Sequence, residues 1–341
     1  MVKLSEQTPK RVIISTMKNE GPFLLEWVAY YLSIGFTGFA ICTNNCDDGT
    51  DLMLDRLEEL GFATHRPNRI RDGDNPQRKA LNRLRVAPMV QDADWVFGID
   101  VDEFLNVRVG DGTIDDFIDA IGDVDVVSIA WKLFGCGGIE RFEDRPVTEQ
   151  FFLSDDESKP LSGRSLGFKS FVRNNGTFLF YNPHRPKGLA PEKDEASVRW
   201  SDAGGHLRRI DKIGWRAWRG FSHDYARLHH YSVRSIENFL VKRDRGRVNH
   251  VNRDQSEHYW ADMNANVVED RSILPRLEKM RSIRADLMAD PVLGELHEGA
   301  VAWHVAKIKE LKARDDWTEF RAWLSAHKFG AKAPDTVEDH V

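Results

Sequence analysis

The sequence has few of the features that mark secreted, membrane-spanning or nucleic-acid-binding proteins. Its three cysteines in 341 residues are too few for a disulfide framework and fit a reducing compartment. Cys42 and Cys46 have no matching second pair, so we expect no zinc site. No run of about 18 apolar residues is present, so we expect no membrane-spanning helix. The net charge of −6 gives no overall basic excess, so we expect no nucleic-acid partner.

Two further absences limit the location and the enzyme class. The first ten residues are polar and lack the apolar region of a secretory signal, so we expect a cytoplasmic protein, which is compatible with peripheral contact to a membrane. There is no Walker loop, and no Gly-x-Gly-x-x-Gly follows the first predicted strand. These absences count against ATPases and dinucleotide-dependent enzymes.

The first hundred residues alternate between short apolar segments and segments with helical periodicity. We expect strands at 11–16, 36–43, 62–65 and 94–99, and helices at 23–34, 51–60 and 76–90. Four strands alternating with three helices imply right-handed crossovers and a mostly parallel sheet. The sequence therefore predicts an α/β fold.

The rest of the chain is less regular. We expect a helix at 113–121 and a strand at 125–131. A hairpin of strands 169–173 and 177–181 is predicted around Asn174, Asn175 and Gly176. We expect irregular structure at 182–202, a helix at 236–245, and helical structure after about residue 270. The tail at 331–341 is predicted to be disordered.

An Asp-x-Asp pair follows the fourth predicted strand. Asp100 and Asp102 share one face if the strand continues through them, because strand side chains alternate, and Glu103 then points to the other face. Open α/β sheets bind their ligands at the carboxyl edge, where these acids lie. Carboxylate and phosphate oxygens are the ligands that Mg²⁺ or Mn²⁺ prefers. The pair is therefore a candidate metal site.

Polar residues also follow the first two strands and open the third helix. Asn19 and Glu20 suit a ligand edge, but they also suit a helix start. Asn44 is placed to hydrogen-bond a nucleotide base, whereas a turn and helix cap is the alternative there. Arg78 and Asn82 are four residues apart and share a helix face, where Arg suits a diphosphate; a solvated basic face is the alternative.

Taken in order, these motifs resemble GT-A-fold glycosyltransferases, close to family 2 and more narrowly to the family 2-like branch related to the DUF23 (family 92) transferases. The resemblance spans about residues 10 to 250. It rests on an ordered set of short motifs: Lys18-Asn19-Glu20, Asn44 to Thr50, Gln77-Arg78 with Asn82, Ile99 to Phe104, Trp131 to Gly137, Lys169-Ser170 with Arg173, His230-Tyr231 with Arg234-Ser235, and Phe239, Lys242, Arg245 and Gly246.

The resemblance implies an organisation for the chain. Residues 10–250 would form the GT-A catalytic domain, with a nucleotide-sugar-binding half at 10–105 and an acceptor-binding half at 106–250. Residues 251–330 would form a helical C-terminal extension, which the resemblance does not cover.

The resemblance also implies roles for individual residues. The donor-binding set would be Asn19, Glu20, Asn44, Asp48, Arg78, Asn82, Asp100, Lys242 and Arg245. Asp100, Asp102 and His230 would hold Mn²⁺ or Mg²⁺, although a buried histidine bonded to backbone is the alternative for His230. Trp131, Phe134 and Gly137 would contact the acceptor, although a Trp beside a strand is commonly a core residue. The catalytic base would be Glu140, Glu143 or Asp224, which the sequence does not separate.

The predicted function is a metal-dependent, inverting glycosyltransferase. It would move a sugar from a nucleotide diphosphate donor, with UDP favoured, to a glycan, a lipid-linked or a protein acceptor. The alternatives are a metal-dependent nucleotidyltransferase or phosphohydrolase, and a nucleotide-binding module without catalysis. A glycosyltransferase releases a nucleoside diphosphate, whereas the enzymes among the alternatives release pyrophosphate or phosphate.

Overall fold

The computed structural model describes residues 10–68, 76–159, 163–218, 220–246 and 255–330. Short strands and helices alternate through its first half, and helices dominate its end. The strands are β1 (Arg11–Met17), β2 (Gly38–Thr43), β3 (Ala63–Pro67), β4 (Trp95–Gly98), β5 (Glu103–Val107), β6 (Val126–Leu133), β7 (Leu153–Ser154), β8 (Phe168–Arg173), β9 (Phe178–Phe180), β10 (Lys187–Leu189), β11 (Trp200–Asp202), β12 (Leu207–Arg208), β13 (Ala226–His230) and β14 (Val268–Glu269). The helices are α1 (Gly21–Ser33), α2 (Thr50–Glu59), α3 (Pro76–Leu84), α4 (Pro88–Gln91), α5 (Ile114–Ile121), α6 (Ile236–Asp244), α7 (Glu257–Met263), α8 (Leu277–Met288), α9 (Pro291–Ala313) and α10 (Thr318–Ala326).

One large sheet forms the centre of the molecule. Its strand order is β12-β11-β6-β8-β4-β1-β2-β3, and β13 pairs with both β6 and β5. Strands β1 to β4 run parallel to one another, whereas β8 is antiparallel to both of its neighbours. Every residue of β1 is buried, as expected for a strand covered by helices on both faces. The predicted α/β class, with a mostly parallel sheet flanked by helices, is confirmed.

Two predicted elements are wrong in detail. The helix predicted at 76–90 ends at Leu84 and a separate turn of helix begins at Pro88, because the residue before a proline disfavours the helical conformation and Ala87 is extended. The hairpin predicted around Asn174 does not form. Strand β8 already lies between β6 and β4, so β9 pairs instead with β10, inside the stretch predicted to be irregular.

Helix α1 holds the strand that follows the Asp-x-Asp pair. Strand β5 pairs with β13 along one edge, and two tyrosines of α1 form hydrogen bonds with the backbone of its other edge. The Tyr30 hydroxyl donates to the Leu105 carbonyl at 2.8 Å, and the Tyr31 hydroxyl donates to the Glu103 carbonyl at 2.9 Å. The Leu105 N–H in turn donates to the Tyr31 hydroxyl at 3.0 Å. These bonds satisfy the backbone of β5 and fix the position where it starts.

The C-terminal helices pack onto the sheet domain. Leu277 and Met280 of α8 and Ala300 of α9 share one apolar core with α1 and the sheet. Arg56 of α2 pairs with Asp290, just before α9, at 2.7 Å. The division of the chain at 250 stays a prediction, and the predicted disordered tail lies outside the described residues. Among the described helices, none combines the length and the apolar character needed to cross a bilayer.

Glu157 links the ends or interiors of three strands through cationic side chains. Its carboxylate accepts from Arg108, just after β5, at 2.5 Å and from Lys132 of β6 at 2.8 Å, and Arg227 of β13 lies 3.9 Å away. Burial opposes the charged form of Glu157, but the bonds from Arg108 and Lys132 outweigh it and lower its pKa to about 2. Ionised Glu157 therefore stabilises the fold.

This carboxylate gives the fold a defined pH dependence. Because the folded pKa of Glu157 lies below its unfolded value, the stabilisation is present above about pH 4.5 and is lost as the pH falls toward 2. We expect Glu157→Gln to lower the free energy of unfolding by about 2 kcal/mol at pH 7 and by progressively less below pH 4.5. Urea unfolding across this range measures the difference from the wild type.

The matched control is Glu59→Gln, which removes an exposed carboxylate paired with Arg56. Exposed pairs contribute at most about 1 kcal/mol, so this variant should behave like the wild type. A Glu157→Gln deficit that stays constant between pH 7 and pH 3 would contradict the assigned role.

Candidate active site

An open cavity lies at the carboxyl edge of the sheet. Thr16 at the end of β1, Asp100 and Asp102 after β4, and His230 at the end of β13 line it together with Lys242 of α6. This is the edge at which open α/β sheets bind their ligands. The structure therefore brings the predicted metal and donor residues Asp100, Asp102, His230, Lys242 and Arg245 to one place.

The two aspartates face different partners because the chain turns between them. Strand β4 ends at Gly98, and the Glu103 N–H donates to the Asp100 carbonyl at 3.1 Å, which closes a tight turn. The Asp100 carboxylate then accepts from the Lys169 ammonium of β8 at 2.8 Å. The prediction that both acids share a strand face is thus wrong, since strand alternation does not continue through a turn.

Glu103 lies beneath the cavity and not on the opposite face. Its carboxylate accepts from the Asp100 N–H at 2.9 Å and from the Trp131 indole N–H at 2.7 Å, and it lies 3.6 Å from the Lys169 ammonium. Burial raises the pKa of Glu103 to about 8, against the opposing attraction of Lys169. The prediction that Glu103 points to the opposite face is wrong for the same reason, because the strand alternation ends at the turn.

Asp102 is buried and has a cation of its own. Its Oδ2 lies 2.7 Å from the Lys242 ammonium, and its Oδ1 lies 3.6 Å from His230 Nε2. Burial disfavours the charged carboxylate, but Lys242 and His230 outweigh that effect and hold the pKa of Asp102 well below its usual range. Asp102 is therefore ionised at neutral pH.

Glu20 is the third acid of the cavity, and two arginines hold it. The Glu20 carboxylate accepts from Arg245, just after α6, and from Arg234 at 3.3 Å. Arg234 has a positive φ of 53°, which is uncommon for a residue with a side chain, and its guanidinium lies 3.6 Å from the centre of the Phe23 ring. Glu20 and Arg245 line the cavity as predicted, but Glu20 is already paired with cations of the chain.

The loops after β1 and β2 are joined through their polar side chains. The Asn19 side-chain oxygen accepts from the Asp47 N–H at 2.8 Å, and Asp48 accepts from the Gly21 N–H at 2.9 Å and from the Thr50 hydroxyl at 2.6 Å. Asn19 and Asp48 were predicted to bind the donor. They lie outside the cavity lining, and their bonds instead fix the start of α1 next to Glu20.

The remaining donor-binding predictions fall beyond the cavity. The Asn44 side-chain oxygen accepts from the Asn68 amide at 2.7 Å, and Asn44 is buried. Arg78 and Asn82 are exposed on α3. Their buried neighbour Gln77 lines a smaller cavity with Asp100 and Lys169; it belongs to the same motif, but no role is predicted for it.

The three residues predicted to contact the acceptor lie in different surroundings. Trp131 lines the cavity, and its ring lies 4.8 Å from the His230 ring. Phe134 is only 1% exposed and packs against the rings of His229 and Tyr231, so it is not available to a sugar and that prediction is wrong. The Gly137 N–H donates to the Asn266 side chain at 2.8 Å, in a turn outside the cavity lining.

The three acids proposed as catalytic base also lie outside the cavity lining. The Glu140 carboxylate pairs with Lys328 at 2.6 Å, and Glu143 pairs with Arg145 at 3.5 Å. Asp224 is exposed after the loop at Ser222. None of the three lies among the residues that surround Asp102 in the described part of the chain, so the geometry gives them no support.

A histidine that the sequence did not identify lines the cavity instead. His184 Nδ1 lies 2.9 Å from the Phe168 carbonyl, which only accepts, so Nδ1 carries the proton and Nε2 is the free acceptor of the neutral ring. Burial, assisted by Lys169, lowers the pKa of His184 to about 4. The residue lies in the stretch at 182–202 that read as irregular, where no motif marks it.

Residues beyond the predicted domain boundary complete the cavity wall. Gln255 precedes α7, and Tyr259 and Met263 belong to it; all three line the cavity, although they follow residue 250. Arg164 also lines it and pairs with Asp262 of α7 at 3.0 Å. Lys169, which also lines the cavity, belongs to the Lys-Ser motif, but the sequence predicts no role for it. The helical extension had no motif to indicate its part.

The donor set of the site is compatible with a divalent cation. Asp102 and His230 approach each other, and His230 Nδ1 has no hydrogen-bond partner among the described residues. No three His, Cys, Asp or Glu side chains of the described ranges converge closely enough to hold an ion alone. Mg²⁺ and similar ions are commonly held by one or two carboxylates together with substrate phosphates, so two protein ligands fit that pattern.

Comparison of the sequence with known families identifies one that spans most of the chain. Residues 12–242 match glycosyltransferase family 92. A family 92 protein of Ricinus communis is 27% identical over 151 residues, which cover 42% of this chain and 26% of the relative. A family 92 protein of Oryza sativa subsp. japonica is 28% identical over 106 residues, covering 31% of this chain and 18% of the relative. The chain thus matches about a quarter or less of the length of these relatives.

Solved structures show only a distant likeness. Residues 1–349 of S. aureus TarS in complex with UDP align with 14% identity and a TM-score of 0.30, covering 48% of this chain and 47% of that one. Another S. aureus TarS structure aligns with 12% identity and a TM-score of 0.35, covering 83% and 46%. TM-scores this low support no conclusion about fold or function.

Phe134 gives a direct test of the division between core and cavity. Because its ring is buried against His229 and Tyr231, we expect Phe134→Ala to lower the free energy of unfolding by about 3–5 kcal/mol. Trp131→Phe keeps an aromatic ring but removes the indole bond to Glu103, and should cost about 1–3 kcal/mol. Urea unfolding of both variants measures the two effects. A Phe134→Ala variant as stable as the wild type would place Phe134 outside the core.

Proposed function

Because the chain belongs to glycosyltransferase family 92, we propose that it transfers a sugar from a nucleotide diphosphate donor to a hydroxyl group of an acceptor. The donor is proposed to be a UDP-sugar, the cation Mn²⁺ or Mg²⁺, and the outcome inversion at the sugar. A glycan, a lipid-linked sugar or a protein is the proposed acceptor class. The match to the family supports the activity, and the cavity at the sheet edge supports its location.

The observation that carries the proposal is the meeting of acids and cations in one cavity. Asp100 and Asp102 line the cavity, and so do Lys242 of α6 and Arg245 just after that helix. Lysine and arginine side chains are suited to diphosphate oxygens, and carboxylates are suited to the metal that accompanies them. The cavity therefore offers partners for both parts of a metal–diphosphate group.

Within this proposal the roles divide by position. Asp102 and His230 would hold the cation together with phosphate oxygens, and the cation would offset charge on the departing nucleoside diphosphate. Asp100, which pairs with Lys169, is not among the ligands that we propose. Lys242 and Arg245 would bind the diphosphate and stabilise its developing charge.

His184 is the residue that we propose as base for the acceptor hydroxyl. Its bond to the Phe168 carbonyl fixes the tautomer with a free Nε2, and its ring lies at 5.7 Å from Trp131, which also lines the cavity. Accepting the hydroxyl proton at Nε2 would leave the acceptor oxygen free to attack the sugar carbon. His184 thus replaces the three acids as the candidate base.

Ligand-dependent stability tests the donor site. We expect UDP with Mn²⁺ to stabilise the wild type by about 2.7 kcal/mol at one hundred times the dissociation constant, and more than GDP, CDP or ADP. Asp102→Ala should abolish the gain, because it removes the proposed metal ligand. Thermal unfolding with each nucleotide measures these differences.

The control is Asp92→Ala, which removes an exposed carboxylate paired with Lys10. It should keep the full response to UDP and Mn²⁺. The donor site would be refuted if no nucleoside diphosphate stabilised the wild type, or if Asp102→Ala responded equally. Release of pyrophosphate from a stabilising nucleotide sugar, in place of nucleoside diphosphate, would identify a nucleotidyltransferase.

The role of His184 predicts a selective loss of rate. We expect His184→Gln to lower the rate of nucleoside diphosphate release by about 10²- to 10⁴-fold, with the UDP affinity unchanged. Since a base acts when deprotonated, the wild-type rate should fall as the pH drops through about 4. Chromatography of released nucleotide across pH 3.5–8 measures both. Wild-type rates for His184→Gln would remove it as the base.

A further inference from the structure

Lys242 pairs with the carboxylate that the proposed divalent cation would also use. Its ammonium donates to Asp102 Oδ2 at 2.7 Å and to the Ser232 carbonyl at 2.6 Å. Because Asp102 is buried, this pair is weakly screened by water, so the ammonium is a strong competitor for the carboxylate.

The lysine on the other aspartate is held differently. Lys169 is 2% exposed and lies between the Asp100 carboxylate at 2.8 Å and the Glu103 carboxyl group at 3.6 Å. The Lys242 side chain is 14% exposed, lines the cavity and has one carboxylate partner among the described residues. Lys169 is therefore fixed in the floor, whereas Lys242 has space beside it into which a flexible side chain can move.

The helix that carries Lys242 is fixed, so movement would be confined to the side chain. Helix α6 is capped by the Ser235 side chain, which accepts from the Asn238 N–H at 3.2 Å. Phe239, Leu240 and Val241 are buried in a core with α7, α9 and α10. The backbone of α6 thus keeps Lys242 within reach of both Asp102 and the cavity.

We propose that Lys242 is an exchangeable counter-ion that makes cation binding depend on the donor nucleotide. Without a nucleotide, Lys242 neutralises Asp102 and opposes a divalent cation at the same carboxylate. A bound diphosphate gives the ammonium new oxygens, releases Asp102 to the cation and adds phosphate ligands. The binding of the cation and the binding of the diphosphate are then coupled, and each ligand raises the affinity of the protein for the other by the same factor. This inference rests on the proposed donor site and specifies how the binding of the cation there depends on the nucleotide.

The test compares Mn²⁺ binding without nucleotide in the wild type, Lys242→Met and Lys242→Arg, by electron paramagnetic resonance of free Mn²⁺. We expect Lys242→Met to bind Mn²⁺ alone about tenfold more tightly or better, because a competing positive charge has been removed. The same variant should bind UDP alone more weakly than the wild type, as measured by calorimetry. Lys242→Arg keeps the charge and should resemble the wild type in Mn²⁺ binding.

Lys242→Met is thus expected to strengthen Mn²⁺ binding and to weaken UDP binding. These opposite effects separate the proposed role of Lys242 from a structural one. A lysine that only stabilised the fold would weaken the binding of both ligands when lost. Lys312→Met is the matched control, since Lys312 of α9 pairs with Glu237 of α6 at 2.8 Å away from the cavity lining, and it should change neither affinity.

Unchanged or weaker Mn²⁺ binding by Lys242→Met would overturn the proposal, and so would a Lys242→Arg variant that behaves like Lys242→Met. Failure of the donor site gives a different result. In that case UDP would not bind the wild type even with Mn²⁺ present, whatever Lys242→Met did to Mn²⁺ alone.

Discussion

The site depends on charge balance among buried groups at one edge of the sheet. Four acids lie there. Asp100 is matched by Lys169, Asp102 by Lys242, and Glu20 by Arg234 and Arg245, whereas burial raises the pKa of Glu103 to about 8 and so favours its neutral form at neutral pH. Buried charges are costly unless they are paired, so these cations are a condition for placing acids at this edge. The acids come from the sheet and its loops, and the cations come from β8, from the segment before α6, and from α6 and its end.

This arrangement explains why the C-terminal half of the chain is part of the site. Helix α6 supplies Lys242, and α7 supplies a wall through Tyr259 and Met263. Helices α8 and α9 cover α1, whose tyrosines fix the start of β5 next to the acids. Residues 10–105 alone would leave Asp102 and Glu20 without these counter-ions.

The sequence predicted what depends on local pattern. Strand periodicity located β1 to β4, and the ordered motifs placed Asp100, Asp102, His230, Lys242 and Arg245 at one edge. It failed where the chain departs from regular structure or where contacts are distant. The turn after Gly98 changes the direction in which the Glu103 side chain points, and Pro88 ends the continuity of the helix predicted at 76–90. Phe134, just after β6, is buried in the core. His184 lines the cavity because of tertiary contacts, which sequence spacing does not indicate.

A crystal structure of the protein with UDP and Mn²⁺ tests the central claim most directly, namely that the paired acids and cations at the sheet edge form the donor site. The account predicts Mn²⁺ bound to the Asp102 carboxylate, and the Lys242 ammonium on a phosphate oxygen in place of its 2.7 Å contact with Asp102. A nucleotide bound away from this cavity, or bound within it while Lys242 stays on Asp102 and Mn²⁺ lies elsewhere, would contradict the account.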